Sequence, residues 1–233
     1  MGWYPQVERE LKETLSSFIE EKNREVNGVI VPHAGYVYSG KIAGKAFSYL
    51  KSKDRRAIVL GPNHYYPVRG IFSYSKDFFQ TPLGKIKSIK EDFPQLDFSQ
   101  EHSILNQIPF LQFLKYEEVL ALLVSQISLN EAEKIAEKLA RIKGKFVFST
   151  DLSHFLSYEE AKEKDEKTIK AIENLDGNYF LNRENSACGI YPLLILIKLC
   201  KKKKWKPKLI QYKNSGDVIG DKSSVVGYAS FVF

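Results

Sequence analysis

The segment GVIVPHAGYVYSGKIAGKAFSYLKSKDRRAIVLGPNH, residues 28–64, indicates the fold of this chain. It contains two apolar runs, Gly28-Val29-Ile30-Val31 and Ala57-Ile58-Val59-Leu60, and each run is followed closely by a proline and a histidine. Continuous apolar runs of this length are typical of strands that are buried on both faces of a parallel sheet. Between them, apolar side chains recur at helical spacing from Ile42 to Leu50. Strand, helix and strand in this order predict a βαβ unit with parallel strands.

The same alternation of strands and helices continues along the 233 residues. No linker, low-complexity segment or repeat interrupts it, and hydrophobic residues make up 43% of the chain, which is enough for one sizeable core. We therefore predict one α/β domain over residues 1–233, with a mainly parallel central sheet and helices on both faces. Further strands are predicted at 119–124, 146–148, 209–212 and 225–233, a hairpin or edge insertion between 68 and 90, and helices at 4–22, 101–114, 130–142, 158–174 and 188–200.

The composition is typical of a cytoplasmic protein. The amino terminus lacks the apolar core of a signal peptide, and the most apolar window, residues 190–199, is shorter than the roughly 20 residues that cross a bilayer. Lys and Arg total 35 against 28 Asp and Glu, and the excess is concentrated at Lys201–Lys204, after the apolar window. Because cations favour the carboxyl end of a helix, we interpret this run as a solvated helix terminus. We therefore expect neither a membrane nor a nucleic acid among the partners.

Three of the four histidines lie within six residues of the end of an apolar strand: His33, His64 and His154. Ligands of open α/β sheets bind in the crevice beyond the carboxyl ends of the strands. Taken singly, His33 and His64 are each more typical of a structural histidine, but together they supply two neutral imidazoles, the commonest metal ligands. Cys188 lies at the start of a predicted helix, where a thiolate is stabilised, and the thiolate is the form that binds metal. We therefore expect His33, His64 and Cys188 to bind a metal ion.

The loop after the strand at 146–148 carries a further pair of polar residues, Asp151 and His154. The two side chains have the chemistry of a general acid, a general base or an additional ligand. The structural alternative is a capped turn, because Asp and Ser favour helix starts.

Six sequence motifs together resemble the signature of the Memo family. They occur in order between residues 28 and 230, so the resemblance covers nearly the whole chain. The motifs are Val31-Pro32-His33-Ala34-Gly35-Tyr36, Leu60-Gly61-Pro62-Asn63-His64, Thr81-Pro82-Leu83-Gly84, Glu101-His102-Ser103-Ile104, Ser149-Thr150-Asp151-Leu152-Ser153-His154 and Val225-Val226-Gly227-Tyr228-Ala229.

This resemblance implies the fold of the class III extradiol dioxygenases, which hold Fe(II) with two histidines and a carboxylate. The positions that match the metal ligands are His33, His64 and Cys188. His154 matches the acid/base of the dioxygenase relatives, and Asp151 stands beside it in the sequence. The resemblance also implies that His102 and Tyr36 line the pocket.

Two departures from the family pattern concern the pocket. Asn106 stands where we expect an acidic residue, and Gly189-Ile190-Tyr191-Pro192 is bulkier than the usual glycine-rich segment. Both changes affect the charge or the size of the pocket, and neither removes an expected ligand.

The resemblance implies a metal-dependent redox or oxygen-using enzyme that acts on a small molecule. Fe(II) is the favoured ion, although copper and zinc also suit two imidazoles and a thiolate. One alternative is an adaptor that binds a small ligand or a peptide in the same pocket without turnover. Another is a zinc-dependent hydrolase. The resemblance also implies a pathway link to radical-SAM and AMMECR-type proteins.

Overall fold

A computed structural model describes residues 2–22, 25–51, 55–181 and 186–233 of the chain. In these ranges the helices are α1 (Glu8–Phe18), α2 (Lys41–Phe47), α3 (His102–Leu105), α4 (Ile108–Phe113), α5 (Leu129–Leu139), α6 (Tyr158–Glu173), α7 (Gly177–Leu181), α8 (Ile190–Lys203) and α9 (Ser215–Ile219), and a short π-helix (Tyr36–Gly40) precedes α2. The strands are β1 (Gly28–Val31), β2 (Arg56–Pro62), β3 (Ile71–Tyr74), β4 (Phe78–Thr81), β5 (Gly84–Ser88), β6 (Gln95–Leu96), β7 (Glu118–Val124), β8 (Lys145–Ser149), β9 (His154–Leu156), β10 (Lys208–Asn214) and β11 (Val225–Val232).

The centre of the sheet is parallel. The strand order is β10-β11-β1-β8-β2-β7-β3-β6, and the pairs β1–β8, β8–β2 and β2–β7 all run in the same direction. Antiparallel strands flank this centre, with β11 and β10 on one side and β3 on the other. The predicted α/β fold with a mainly parallel central sheet is therefore confirmed.

Helices bury both faces of the sheet, which explains why the central strands are continuously apolar. Successive side chains of a strand point to opposite faces. Ile58 and Leu60 of β2 accordingly join the cluster beneath α5 and α8, whereas Ala57 and Val59 join the cluster beneath α1 and α2. Each face thus has its own apolar core, and no residue of β2 after Arg56 faces solvent.

Several element boundaries differ from those predicted. The predicted helix at 101–114 is divided into α3 and α4, because Pro109 lacks a backbone N–H and cannot continue a helix that started at His102. The hairpin is formed by β4 and β5, while β3 pairs with β7 instead. The last long helix begins at Ile190, so Cys188 lies in the turn before it. None of the helices in the described ranges is long and apolar enough to cross a bilayer.

Candidate metal centre

Three histidine side chains converge beyond the carboxyl ends of β1 and β2. The ligand atoms that His33, His64 and His102 offer all lie within 4.8 Å of one another. The ring centroids are 5.3 Å apart for His33 and His64, 5.3 Å for His33 and His102, and 4.5 Å for His64 and His102. Metal–nitrogen bonds are about 2.0–2.1 Å long, so the ligands of one ion lie within roughly 4 Å of one another. The three imidazoles therefore need only a small contraction to share an ion.

Each histidine is positioned by the end of a regular element. His33 follows Pro32 at the end of β1, and His64 follows β2, which ends at Pro62. His102 is the first residue of α3, and the hydroxyl of Ser103 in that helix donates to the carbonyl of Pro62 at 2.8 Å. This last bond fastens α3 to the end of β2. Residues that are about 40 positions apart in the chain are thereby brought together.

All three histidines use Nδ1 for a hydrogen bond within the protein. The Nδ1 partners are Ser149 Oγ at 2.9 Å for His33, Glu101 Oε1 at 2.8 Å for His64, and Tyr65 Oη at 2.8 Å for His102. The carboxylate of Glu101 can only accept, so Nδ1 of His64 donates to it, and Nε2 is the nitrogen that remains for an ion. Bonds of this kind set the tautomer and the ring orientation of metal-ligating histidines. The arrangement therefore leaves the Nε2 atoms for coordination.

Glu101 connects two of the three histidines. It is fully buried, its Oε2 accepts from the backbone N–H of His64 at 2.8 Å, and its Oε1 lies 3.5 Å from Nδ1 of His102. The Oε1 atom also accepts from the backbone N–H of Ser103 at 3.1 Å, which caps α3. Burial on its own raises the pKa of the Glu101 carboxyl, but the hydrogen bonds from the ring and backbone of His64 outweigh it and hold the pKa below its ordinary value. Glu101 is therefore an ionised group that orients the centre.

The electrostatic setting keeps the His33 and His102 imidazoles neutral. Burial lowers the pKa of His33 well below its ordinary value, and the positive charge that His64 acquires on protonation lowers it further. Burial, followed by His64, lowers the pKa of His102 to about 4. Neutral imidazole is the form that binds metal. At neutral pH, therefore, neither His33 nor His102 needs to release a proton before it can act as a ligand.

Cys188 adjoins the Nε2 atom of His33. Its Sγ is 3.2 Å from His33 Nε2 and accepts a hydrogen bond from the backbone N–H of Asp151 at 3.2 Å. Within the described residues, the group whose ligand atoms lie within 4.8 Å of one another contains His102 and not Cys188. Burial raises the pKa of the Cys188 thiol, and the neighbouring Asp151 carboxylate adds to this effect. The helix α8 starts two residues after Cys188, and the thiol is only partly exposed, so the helix terminus does not offset this effect.

Asp151 and His154 adjoin the histidine group from the loop after β8. The Asp151 carboxyl accepts from the backbone N–H of His33 at 2.8 Å and lies 3.9 Å from His33 Nε2, and burial raises its pKa to about 7. Nδ1 of His154 donates to the carbonyl of Leu152 at 2.8 Å, so the lone pair of His154 is on Nε2. Burial lowers the pKa of His154, and His64 lowers it further.

A strained residue follows His154. Phe155 has a φ of 60°, which a bulky residue rarely adopts, and its side chain is 77% exposed. The strand β9 thus holds an apolar ring in solvent directly beside His154.

Trp3 and Asn106 also belong to this site, although sequence reasoning assigned them no such contacts. The Trp3 ring stacks on His102 with a centroid distance of 4.3 Å and an interplanar angle of 9°. Asn106 donates from Nδ2 to the carbonyl of His33 at 2.6 Å, a bond that an ionised acidic residue at this position could not donate. Tyr36, which was expected to line the pocket, is buried beside Phe110, and its hydroxyl donates to the carbonyl of Asn106 at 2.8 Å.

The turn before α8 requires a glycine. A Cβ on Gly189 would lie 2.6 Å from the side chain of Thr150, and the backbone N–H of Gly189 donates to Thr150 Oγ1 at 2.9 Å. This close approach holds the preceding Cys188 against the loop that carries Asp151. The glycine therefore helps to place the thiol.

Comparison with known proteins identifies a family whose members match almost the whole chain. A family model described as Memo-like protein matches residues 2–232. A MEMO1 family protein of Methanosarcina barkeri is 34% identical, over 97% of this chain and 93% of the relative. Relatives of the same description from Aquifex aeolicus and Sulfurisphaera tokodaii are 31% and 33% identical and cover 99% and 88% of this chain, which corresponds to 96% and 81% of their own lengths.

Proposed function

This chain belongs to the Memo-like protein family, and on that premise we propose that it is a metal-dependent enzyme whose ion is held by His33, His64 and His102. The observation that carries this proposal is the hydrogen bonding of the three Nδ1 atoms, which turns one ring nitrogen of each histidine toward a common centre. Structural histidines have no need of this shared orientation. Neutral, oriented imidazoles are the usual ligands of Zn, Cu and Fe.

The donor set fits the ions that the family resemblance implies. Three imidazoles suit Fe(II), copper and zinc, and Cys188, whose Sγ lies 3.2 Å from His33 Nε2, would become a fourth donor on release of its thiol proton. Fe(II) is favoured by the relation to the extradiol dioxygenases. Such an ion, when bound, would act as a Lewis acid and, if redox-active, would allow electron transfer to dioxygen.

The residues around the ion provide proton transfer. Nδ1 of His154 donates to the carbonyl of Leu152, so Nε2 carries the lone pair and is the atom that would accept a proton from a substrate hydroxyl. The pKa of Asp151 is raised to about 7 by burial, and a group with such a pKa is efficient in proton exchange near neutral pH. We assign general acid/base catalysis to His154, with Asp151 as the second proton-exchanging group.

The substrate proposed is a small organic molecule, and the reaction proposed is an oxidation that uses dioxygen. A zinc-dependent hydrolase is the second candidate, because three histidines are also the ligand set of catalytic zinc sites that activate water. The same acid/base residues would serve either reaction. The identity of the bound metal would decide between oxidation and hydrolysis.

Metal analysis under anaerobic conditions tests the proposal. Protein purified without oxygen is loaded with Fe(II), Cu(II) or Zn(II), dialysed, and analysed for bound ion, and we expect about one ion per chain. Cys200→Ser is the control and should bind the ion as the parent does, because Cys200 is buried in α8 away from the histidines. Oxygen uptake by the iron or copper form supports the oxidase, and substrate cleavage by the zinc form supports the hydrolase. A chain that retains no stoichiometric ion overturns both and favours the adaptor.

A further inference from the structure

Two adjoining cavities lie at the amino ends of the strands, opposite the carboxyl ends where the proposed metal centre lies. Their volumes are about 370 Å³ and 360 Å³, and Asn27 and Trp205 line both. Asn27 precedes β1, and the first residues of β8 and β10, Lys145 and Lys208, also line the cavities. These residues lie at the amino ends of their strands, whereas His33 and His64 lie beyond the carboxyl ends of β1 and β2. The two cavities are therefore separate from the proposed active site.

Six exposed cations line the two cavities without a carboxylate partner among the described residues. The nearby Lys145 is paired with Glu25 at 2.8 Å. On α8, Lys198 and Lys202 are likewise paired, with Glu133 and Glu137 of α5. The first cavity is lined by one carboxylate, Glu25, whose charge is matched by that of Lys145. The six cations that remain are Lys204, Lys206 and Lys208 at the first cavity and Arg141, Lys143 and Lys203 at the second. Uncompensated charge of one sign around concave walls attracts anionic ligands.

The helix-terminus interpretation of the lysine run accounts for only part of this surface. The end of α8 explains cations up to Lys203, since they lie near its negative pole. It does not explain Lys206, which lies between the helix and the next strand, or Lys208, which begins the edge strand β10. It also does not explain why Lys204 occupies the left-handed C-cap, at a φ of 57°, where glycine or asparagine is normally found.

Trp205 lines both cavities and is anchored by two aromatic rings. Its ring packs against Phe146 and Phe233 at centroid distances of 5.9 Å and 5.8 Å, while the residue remains partly exposed. The ammonium group of Lys203 lies 5.7 Å from the ring centroid. An aromatic ring that is rigid, partly accessible and surrounded by cations is the combination on which nucleic-acid bases stack while their phosphates are neutralised.

We propose that this face binds single-stranded nucleic acid, with a base stacked on Trp205 and phosphates held by the lysines in the two cavities. A small anion would satisfy the cations of one cavity only, whereas a strand has regularly spaced charges that reach both. The two hollows and the central indole also fit a ligand with flat bases better than the planar surface of an anionic membrane. This proposal differs from the expectation of no nucleic-acid partner, which interpreted the lysine run as a solvated helix terminus.

Fluorescence anisotropy with labelled 12-mers of uridylate and thymidylate tests this proposal on the full chain. Binding to single strands weakens with salt by about 0.7 in log K per log salt for each phosphate contacted, so six contacts give a slope of about −4. The double variant Lys206→Gln/Lys208→Gln should reduce the magnitude of that slope by about 1.4. The control Lys162→Gln/Lys167→Gln removes the same charge from exposed positions on α6 and should leave the slope unchanged.

Trp205→Ala tests the stacking contact. Stacking of one base contributes an amount that corresponds to roughly 5- to 100-fold in affinity, so the variant should bind weaker by that factor at constant salt slope. Because Trp205 packs on Phe146 and Phe233, the thermal midpoint is measured alongside. If this variant does not fold, the lysine pair still decides the question.

Three outcomes would overturn the proposal. The first is equal loss of binding in the α6 control. The second is binding to phosphatidylserine vesicles but not to the oligonucleotides, which would assign the face to a membrane surface. The third is that polyglutamate competes as effectively as unlabelled oligonucleotide, which would show that this face binds any polyanion through net charge alone. Binding of uridylate, thymidylate or both supports the proposal, and a preference for one of them tells RNA from DNA. None of these results depends on the metal centre.

Discussion

Removal of the charge on Glu101 is the sharpest test of how the metal centre is organised. Glu101→Gln leaves a single side-chain oxygen, so only one of the two acceptor atoms of Glu101 remains. If it stays on Nδ1 of His64 and the backbone N–H of Ser103, the new NH₂ group faces the backbone N–H of His64, which is 2.8 Å from Oε2 in the parent. Two donors then oppose each other in a fully buried position. The substitution therefore disturbs the residue that orients His64 and His102 without changing the size of the side chain.

The expected magnitudes follow from these contacts. Loss of a hydrogen-bonded partner of a metal-ligating histidine typically lowers metal affinity by about 10- to 100-fold. A buried donor that loses its acceptor costs about 1–3 kcal/mol of stability, which lowers the thermal midpoint by roughly 2–4 °C per kcal/mol in a domain of this size. We expect both effects in Glu101→Gln.

Competition with a chromophoric chelator measures the affinity for Zn(II), and a thermal melt measures the stability. The matched control is Glu131→Gln, because Glu131 also accepts from a backbone N–H at a helix start, that of Ser128 at 2.7 Å, but on an exposed surface. This control should bind Zn(II) as the parent does. If Glu101→Gln lowers the thermal midpoint yet binds Zn(II) within about twofold of the parent, Glu101 is only a structural residue and the proposed ligand orientation is wrong.

The remaining predictions concern the ligands, the acid/base residue and the packing around them. His102→Ala should lose most of the bound ion and Cys188→Ser a smaller part of its affinity, by equilibrium dialysis, and a full complement of ion in His102→Ala would refute the three-histidine centre. His154→Ala should keep the ion but lower any turnover by about 10²–10⁴-fold, and unchanged turnover would remove its acid/base role. A Cβ on Gly227 would collide with the Asp165 carboxylate, so Gly227→Ala should cost about 1–3 kcal/mol in a urea melt, and stability equal to the parent would contradict that packing.

Asp165 also gives a prediction for pH. Burial raises the pKa of its carboxyl above the ordinary value, against the hydrogen bond from the backbone N–H of Ser153. The folded chain therefore keeps a proton that the unfolded chain releases above a pH of about 4, so this group stabilises the fold most below that pH, and the contribution is lost as the pH rises through the folded-state pKa. Asp165→Asn should flatten the dependence of the thermal midpoint on pH in this window, and an unchanged pH profile would show that Asp165 does not hold the proton.

The fold class was determined by local sequence patterns. The apolar runs at β1 and β2 and the helical spacing between them need no knowledge of distant residues, because burial on both faces of a strand leaves a continuous apolar run in the sequence itself. The same holds for the position of His33 and His64, since both follow a strand directly. Because the strands run parallel, the two histidines must lie at the same end of the sheet, beyond the carboxyl ends of the strands.

The composition of the centre was decided only by tertiary contacts. His102 reaches the other two histidines because Ser103 fastens α3 to Pro62, and no local pattern reports a bond between residues so far apart in the chain. Burial and the neighbouring Asp151 raise the pKa of the Cys188 thiol in the same way, an effect that its position at the start of a predicted helix did not indicate. At the amino ends of the strands, the lysine run becomes part of a concave basic surface only when the fold brings Arg141 and Lys143 beside Trp205. A sequence records which groups are present, whereas desolvation and long-range packing decide which of them meet.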